Sequence, residues 1–410
     1  MTLLDSVRVD LQGIPADELV PALRRGRVAD IEQVIDAALL AKGSAIAAVR
    51  LVDGRELFIP MVHEGRWRRA EPADGISMTA FAAPSPLHVE HVNAFPDLGA
   101  RHERGLDVDM TNDVRIIDNA VAVKWHFQRR PRSLIGPRIT AHLSAAGFTD
   151  IPQPLATLTW RDDLVATADR FLPHAEDGWD WMLEDVRRML ADQAPAPAWA
   201  GEIGRLTARM HAASARPTHV IGQPVSHASL ADLAPHFRGL IDEPLDPQTH
   251  DAVQRWRGRF IDACEVLAEA QDVEVMPIHR DLHPGQFLRW RDGIAICDFD
   301  GSPTIPAELQ NLRGPTAQDV IGLLRGLDHV AIAAARRVED PVALSHARAW
   351  AREARAEALA AYLSSPDVPS LDEDVLAALE SLSPLHEAVY AARYLPRWRY
   401  VPLAVLDGGW

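Results

Sequence analysis

Two short segments contain the residue types and the spacing that a phosphoryl-transfer site needs. The first, at 279–286, reads HRDLHPGQ, and the second, at 298–301, reads DFDG. An apolar stretch precedes each, so we expect Asp281 and Asp298 to follow short strands. A carboxylate can align an acceptor hydroxyl, and the side-chain oxygens of Gln286 and Asp298 suit Mg²⁺, which takes few protein ligands and completes its shell with phosphates and water. The spacing therefore predicts a carboxylate base at Asp281 and a metal site at Gln286 and Asp298.

A second interpretation of the first segment is a metal triplet. His279, Asp281 and His283 alternate along the chain, so on a strand their side chains would share one face. Zinc uses such ligands. No third His or Cys lies close by in sequence to complete the site, and His279 is also explained as a structural residue that hydrogen-bonds the loop. The phosphoryl-transfer interpretation is therefore favoured.

Taken together, the two segments resemble the H-x-D-x-x-x-x-N and D-F-G motifs that protein kinases share with aminoglycoside phosphotransferases. This resemblance gives Asp281 the role of catalytic base and Asp298 the role of main Mg²⁺ ligand. Gln286 stands where those families carry Asn, so the carbonyl is kept and the side chain is one methylene longer. Arg280 makes the string similar to the protein-kinase version.

Kinases of this kind also hold the nucleotide with a lysine on a strand. Residues 121–124 read VAVK, so an apolar alternation ends at Lys124, whose amine would hold the α- and β-phosphates of ATP as a point charge. The alternative is an ordinary solvent-facing lysine. The sequence departs from the kinase pattern in two ways: residues 107–113 replace the glycine-rich loop, and no Asp or Glu occurs between Asn119 and Thr149 to pair with Lys124.

The predicted elements place these segments in an α+β chain. The apolar residues of 15–42 have mixed three- and four-residue spacing, which predicts a helix. Asp53-Gly54 then predicts a hairpin between strands at 44–52 and 55–62. The remaining predicted elements are a strand pair at 114–117 and 120–127, a helix at 138–146, a strand pair at 155–160 and 164–171, helices at 179–192, 198–213, 247–270 and from 319 to about 394, and short strands at 275–278 and 294–299. A β-rich half thus precedes a helical half.

Composition excludes several classes of protein. The chain has 410 residues, 42 basic against 58 acidic, and a net charge of −16. This balance argues against nucleic-acid and anionic-membrane partners and favours a cationic small molecule. Its two cysteines cannot build a disulfide framework, and no apolar run is long enough for a membrane helix. We therefore expect a cytoplasmic protein, either a monomer or a weak homo-oligomer.

Further segments are similar to the actinobacterial maltokinases and glucosamine kinases, a branch of the aminoglycoside phosphotransferase-like kinases. They are RFLP at 170–173, DGWDW at 177–181, GRLTARMH at 204–211, DVIGLLR at 319–325, residues 390–403, and the hairpin at 44–62 with GRWRR at 65–69. This resemblance implies an ATP- and Mg²⁺-dependent kinase with a bilobal protein-kinase-like fold. It further implies a cap subdomain at 1–90, the rest of the N-lobe at 91–173, a helical C-lobe at 174–410, and an adenine site at the backbone of Phe171 and Leu172.

The acceptor is expected to be a small sugar. Only residues 302–318 separate the second segment from the next helix, which is too short for a peptide-docking platform. The branch offers glucosamine, phosphorylated at O6, or maltose, phosphorylated at O1. Asp300 would suit an ammonium group, and Trp410, if not part of a frayed tail, could stack on a sugar face. With the acidic charge, these residues favour glucosamine 6-phosphate as product. The alternatives are a maltokinase and a non-catalytic binding protein on a kinase fold.

Overall fold

The computed structural model divides the chain into two compact units. The first contains Met1–Ala141 and Pro152–His174, and the second contains His142–Ile151 and Ala175–Trp410. The structure describes residues 2–11, 14, 16–19, 30–99, 102–106, 113–129, 134–192, 194–291, 293–302, 305–306, 309–338 and 342–408. The three-part division expected from the sequence stays a prediction.

The described residues form strands and helices in the following chain order. The strands are β1 Ile31–Ala41, β2 Ser44–Leu51, β3 Glu56–His63, β4 Trp67–Arg69, β5 Leu87–His91, β6 Glu103–Gly105, β7 Asp113–Ile117, β8 Val121–Trp125, β9 Pro154–Trp160, β10 Asp163–Arg170, β11 Glu176–Asp177, β12 Ser226–Ala228, β13 Val273–Pro277, β14 Phe287–Trp290, β15 Gly293–Ile296 and β16 Arg313–Gly314. The helices are α1 Leu3–Leu11, α2 Ala16–Leu19, α3 Ser77–Ala80, α4 Ile135–Ala145, α5 Gly178–Asp192, α6 Ala200–Ser214, α7 Leu233–Ile241, α8 Pro247–Glu269, α9 Thr316–Arg336, α10 Ala343–Leu363, α11 Glu373–Tyr394 and α12 Tyr400–Leu406. In the described parts of the chain, no helix has the length and apolar character needed to cross a membrane.

The first unit contains two antiparallel sheets. The four-stranded sheet has the order β1-β2-β3-β4, and the six-stranded sheet has the order β5-β9-β10-β8-β7-β6. A bridge between Leu57 and Gln128 links the two sheets, and one apolar core continues from Ile46 in the small sheet to Trp125 in the large one. The predicted hairpin and both predicted strand pairs are confirmed in these sheets.

One predicted element of the first unit is wrong. Residues 31–41 were expected to be helical but form β1, which pairs with β2 along its length. Register irregularities between Ile31 and Gln33, between Val34 and Asp36, and near the strand end interrupt the two-residue alternation. Because β-bulges insert an extra residue, they shift buried side chains away from strict alternation and mimic helical spacing.

The second unit is mostly helical and contains two small sheets, with strand orders β11-β14-β15 and β12-β13-β16. Helix α9 is buried along most of its length and packs against α5, α10 and α11. It begins at Thr316, and Asp319 lies in its first turn. The two short strands that border the candidate site, β13 and β15, both belong to this unit. The small sheets thus deliver Asp281 and Asp298 to a framework of helices.

Candidate active site

A buried aspartate on α9 holds the segment that carries Asp281. Asp319 is 0% exposed; its Oδ2 accepts a hydrogen bond from the backbone N–H of His279 at 2.6 Å, and its Oδ1 accepts from that of Arg280 at 2.7 Å. Nε2 of His211 on α6 lies 3.1 Å from the same carboxylate. Burial alone would raise the pKa of Asp319, but hydrogen bonding and the charge of His211 outweigh it and lower the pKa. A carboxylate therefore fixes the backbone immediately before Asp281.

The ring of His279 also belongs to this framework. It is fully buried, its Nε2 lies 2.8 Å from the carbonyl oxygen of Cys297, and its Nδ1 accepts a hydrogen bond from the N–H of Asp281 at 3.3 Å. Burial lowers the pKa of His279, which favours a neutral ring that donates from Nε2. The zinc triplet of His279, Asp281 and His283 is wrong: both ring nitrogens of His279 are engaged by the backbone, and the described residues contain no group of three or more His, Cys, Asp or Glu side chains that could hold a metal.

Three glycines allow two helices to approach the loop after Asp281. A β-carbon on Gly322 of α9 would lie 2.5 Å from the carbonyl oxygen of Leu282, and one on Gly326 would lie 2.3 Å from Cδ of Pro284. A β-carbon on Gly178, the first residue of α5, would lie 2.1 Å from the carbonyl oxygen of Pro284. Real β-carbons do not come this close to other heavy atoms. The catalytic loop therefore rests directly on the backbones of α5 and α9.

The two predicted metal ligands, Gln286 and Asp298, flank the β14–β15 hairpin. The strands pair from Phe287 with Ile296 onward, and the N–H of Cys297 donates to the carbonyl oxygen of Gln286 at 2.9 Å. The Cys297 thiol lies 3.9 Å from Oε1 of Gln286, and the next residue is Asp298. One neutral and one anionic oxygen donor on adjacent backbone positions match what Mg²⁺ takes from a protein. These residues therefore fit the metal expected from the sequence.

Asp281 belongs to the second unit, and its surroundings disfavour its charged form. Its side chain is 32% exposed, and its Oδ2 lies 4.0 Å from Nε2 of His283. Desolvation raises the pKa of Asp281; His283 and His279 oppose the shift, and the carboxylate of Asp298 adds to it. A carboxylate with a raised pKa is a better proton acceptor than an ordinary aspartate, as a general base requires.

A cavity of about 850 Å³ opens beside Asp281. Its wall includes the aromatic side chains of Trp179, Trp398 and Tyr390. The rings of Trp179 and Trp398 meet edge to face, with centroids 5.0 Å apart. Apolar ring faces close to a carboxylate are suited to a small molecule that has both hydroxyl groups and carbon faces.

A buried ion-pair network forms part of the same wall. Glu387 of α11 has its Oε2 3.2 Å from Nη2 of Arg325 and 3.0 Å from Nε2 of His329, and Arg325 also reaches Asp328 at 2.7 Å. Burial acts to raise the pKa of Glu387, but Arg325 and His329 outweigh it and hold that pKa well below its usual range. Nε and Nη2 of Arg325 and the hydroxyl of Ser383 donate hydrogen bonds to the Glu387 carboxylate. The network therefore fixes α11 against α9 at the cavity.

The two predicted acceptor residues have different outcomes. Asp300 is half-buried within electrostatic range of Arg280. Strand β15 ends at Ile296 and residues 299–300 form a turn, so Asp298 and Asp300 do not lie on one continuous strand. Trp410 lies outside the described residues.

The predicted nucleotide-binding residues belong to the first unit. Lys124 lies on β8, where it pairs with Thr167 of β10 and Val114 of β7, and its side chain is half-buried between buried neighbours. The N–H of Phe171 donates to the carbonyl oxygen of Ala120 at 2.9 Å. An adenine contact at Phe171 and Leu172 would therefore use other backbone groups of this segment.

Sequence reasoning missed the support of the catalytic loop. The DVIGLLR string was noted only as a resemblance, yet its Asp319 and Gly322 contact the loop directly. The GRLTARMH string contains His211, whose Nδ1 lies 2.8 Å from the hydroxyl oxygen of Tyr362 on α10. The available signal was the presence of Asp, Gly and Gly at positions 319, 322 and 326, which share one helix face.

Comparison with known proteins identifies relatives of this chain. No family model matches the chain. The chain is 34% identical over 400 residues to the glucosamine kinase of Streptacidiphilus jiangxiensis, covering 90% of this chain and 89% of that protein. It is 33% identical over 371 residues to the glucosamine kinase of Mycolicibacterium smegmatis, covering 85% and 92%. A solved structure of a glucosamine kinase in complex with glucosamine, ADP and inorganic phosphate matches with a TM-score of 0.75 and 30% identity, covering 100% of this chain and 99% of that one.

The fold and these matches define a phosphotransferase of the α+β, kinase-like class, which confirms the expected fold class. The similarity extends over nine-tenths of the sequence rather than over the motifs alone. The chain belongs to the glucosamine kinase family. The expected resemblance to the glucosamine kinase branch is thereby confirmed.

Proposed function

We propose that this protein transfers the γ-phosphoryl group of ATP to the 6-hydroxyl of glucosamine, which yields glucosamine 6-phosphate and ADP. The proposal rests on one observation above all: Asp281 lines a cavity, and Asp319 fixes the backbone immediately before it. The names of the relatives support the acceptor, and the ADP and glucosamine in the family's solved complex support the pair of substrates.

Four polar residues of the second unit have roles in this proposal. The Asp281 carboxylate orients the acceptor hydroxyl and takes its proton. Gln286 Oε1 and the Asp298 carboxylate would hold Mg²⁺, which when bound neutralises charge on the phosphates. Asp319 keeps the loop backbone in position, so the base needs little reorganisation to meet the hydroxyl.

The first unit supplies the nucleotide contacts in this proposal. Lys124 would hold the α- and β-phosphates as a fixed positive charge. The backbone of Phe171 and Leu172 would hold the adenine, with the N–H of Phe171 already bonded to Ala120.

In this proposal, the carboxylate of Asp300 selects an amino sugar over a neutral sugar. The ammonium group of glucosamine is matched by Asp300, and the overall charge of −16 favours a cationic acceptor. The aromatic wall that includes Trp398 would contact the sugar ring, and Trp410 would add a further ring face. Maltose has no ammonium group and would leave Asp300 without this counter-charge.

The test is an ADP-release assay with glucosamine, N-acetylglucosamine, glucose, maltose and an aminoglycoside as acceptors, with Asp281→Asn as the inactive control. We expect turnover with glucosamine to exceed that with every other acceptor. Efficient turnover of maltose with little of glucosamine would make the protein a maltokinase. Absence of turnover with all acceptors, despite nucleotide binding, would support the non-catalytic alternative.

A further inference from the structure

Arg280, immediately before the proposed base, has a backbone conformation that is unusual for its size. Its φ of +73° lies in the left-handed region that favours glycine. The residue is nevertheless almost completely buried, at 7% exposure. Non-glycine residues persist in this region only where surrounding contacts compensate for the strain, and such residues concentrate at functional sites. The question is which contacts hold Arg280 there.

The guanidinium of Arg280 contacts the turn that follows Asp298. Its Nη2 donates to the carbonyl oxygen of Phe299 at 2.9 Å. A β-carbon on Gly301 would lie 2.9 Å from Cζ and 3.0 Å from Nη1 of Arg280, so the guanidinium lies directly against the Gly301 backbone. Gly301 itself has a φ of +78°. The turn at 298–301 is thus shaped around the Arg280 side chain.

Burial lowers the pKa of the Arg280 guanidinium, and neighbouring carboxylates oppose this shift. The carboxylates of Asp319, Asp300 and Asp281 all lie within electrostatic range of the guanidinium. Its Nε has no hydrogen-bond partner among the residues that the structure describes. One hydrogen bond, one close backbone contact and three surrounding carboxylates therefore hold the side chain.

We propose that Arg280 is a positioning residue for the metal site, because its guanidinium fixes the turn carrying Asp298 to the loop carrying Asp281. The inference rests on the roles proposed above for those two aspartates. The contact of Nε2 of His279 with the carbonyl oxygen of Cys297 already joins these two backbone segments, and the planar guanidinium adds a second link beyond Asp298. A lysine would keep the charge, but it lacks the planar fork that meets both Phe299 and Gly301.

The proposal is tested with Arg280→Gly and Arg280→Lys by calorimetric measurement of ADP affinity over a series of Mg²⁺ concentrations, which gives the Mg²⁺ concentration that produces half of the gain in ADP affinity. This readout needs no acceptor, so it is independent of which sugar is phosphorylated. Glycine tolerates the backbone conformation, so Arg280→Gly removes the contact without adding strain. We expect both variants to need about 10–100-fold more Mg²⁺, the usual effect of losing a group that orients a metal ligand, while ADP binding without Mg²⁺ stays unchanged.

Asp367→Gly is the matched control for relieving backbone strain. Asp367 is exposed, has a φ of 58° and lies outside the candidate site, so its replacement should leave the Mg²⁺ requirement unchanged. If Arg280→Gly likewise keeps the wild-type Mg²⁺ requirement and only the melting temperature changes, Arg280 is a packing residue and the proposal is overturned.

A double-mutant cycle with Gly301→Ala tests the contact itself. In the wild-type background the new β-carbon meets the guanidinium, and the Mg²⁺ requirement should rise by about 10-fold or more. The strain of alanine at the positive φ of Gly301 is common to both backgrounds, whereas the contact with the guanidinium is absent from the Arg280→Gly background, so Gly301→Ala should have a smaller effect there. Equal effects in both backgrounds would show that the two residues act independently and would contradict the proposal.

Discussion

The α-carbon of Gly322 lies against the carbonyl oxygen of Leu282, so closely that a β-carbon would come within 2.5 Å of that oxygen. This contact sets the distance between α9 and the residue that follows the proposed base. The catalytic loop therefore rests on the surface of α9. A change of one methyl group at this point should therefore displace Asp281.

We expect Gly322→Ala to lower kcat by about 10²-fold or more, because small misplacements of a catalytic group have effects of this size. Gly258→Ala is the control. Gly258 lies within α8 with nothing near its absent β-carbon, so alanine there should raise helix stability by about 1 kcal/mol and leave kcat unchanged. Kinetics and thermal melts of both variants check this prediction. Wild-type kcat in Gly322→Ala would mean that the loop position is not set by this contact.

Asp281→Asn should lower kcat on the order of 10²–10⁴-fold while leaving ATP affinity little changed. The same variant should be more stable than the wild type at neutral pH. Because burial raises the folded-state pKa of Asp281, ionisation of this side chain lowers the free energy of unfolding. The gain in melting temperature should be present at pH 8 and disappear as the pH falls towards about 4, where the wild-type carboxyl is also neutral. Turnover close to wild type would remove Asp281 from the mechanism.

The two metal ligands should respond unequally to truncation. Asp298→Ala should abolish Mg²⁺-dependent turnover, whereas Gln286→Ala should raise the Mg²⁺ concentration needed for half-maximal activity, because a charged ligand contributes more than a neutral one. Gln286→Asn, which keeps the carbonyl, should lie between Gln286→Ala and the wild type. A Mg²⁺ titration of initial rates checks the order. Activity that survives EDTA would contradict the assignment.

Asp300→Asn should raise the KM for glucosamine by about 30-fold, since truncating one partner of a desolvated charge pair costs about 2 kcal/mol or more. The KM for ATP should stay unchanged. Asp251→Asn, at an exposed position on α8, is the control. If glucosamine KM is unaffected in Asp300→Asn, the ammonium group is recognised by another residue.

Glu387→Gln should destabilise the second unit by about 3 kcal/mol, because it leaves the buried Arg325 with less of its counter-charge. The lowered folded-state pKa of Glu387 means that its stabilising effect is present above the ordinary Glu pKa and is lost as the pH falls through the folded-state value. Urea unfolding at pH 7 should show the deficit, and Glu353→Gln, at an exposed position on α10, should show none. Equal unfolding midpoints for both variants would exclude a stabilising network.

The sequence predicts the parts of the site that depend on nearby residues. The spacing of Asp281, Gln286 and Asp298 was recognisable because one loop and one hairpin carry all three. The role of Asp319 as an anchor could not be recognised, since its contact with His279 spans 40 residues and is created only by helix packing. Strand β1 was mistaken for a helix because its bulges disturb the alternation on which the prediction depends. The strain at Arg280 could not be predicted for a further reason: the residue type does not indicate that an arginine has a positive φ.

The hydrogen bonds that Asp319 accepts from the backbone of His279 and Arg280 also determine when, during synthesis of the chain, the active site can form. All three residues assigned to base and metal binding have been synthesised once residue 298 is made, but their anchor is synthesised only with α9. The partner that supports His211 behind that anchor, Tyr362, comes only with α10. Because domains assemble during synthesis from the N-terminal side, the chemistry of this protein is among the last features to form. A chain cut before α10 contains every proposed reactive group and lacks the scaffold that makes them an enzyme.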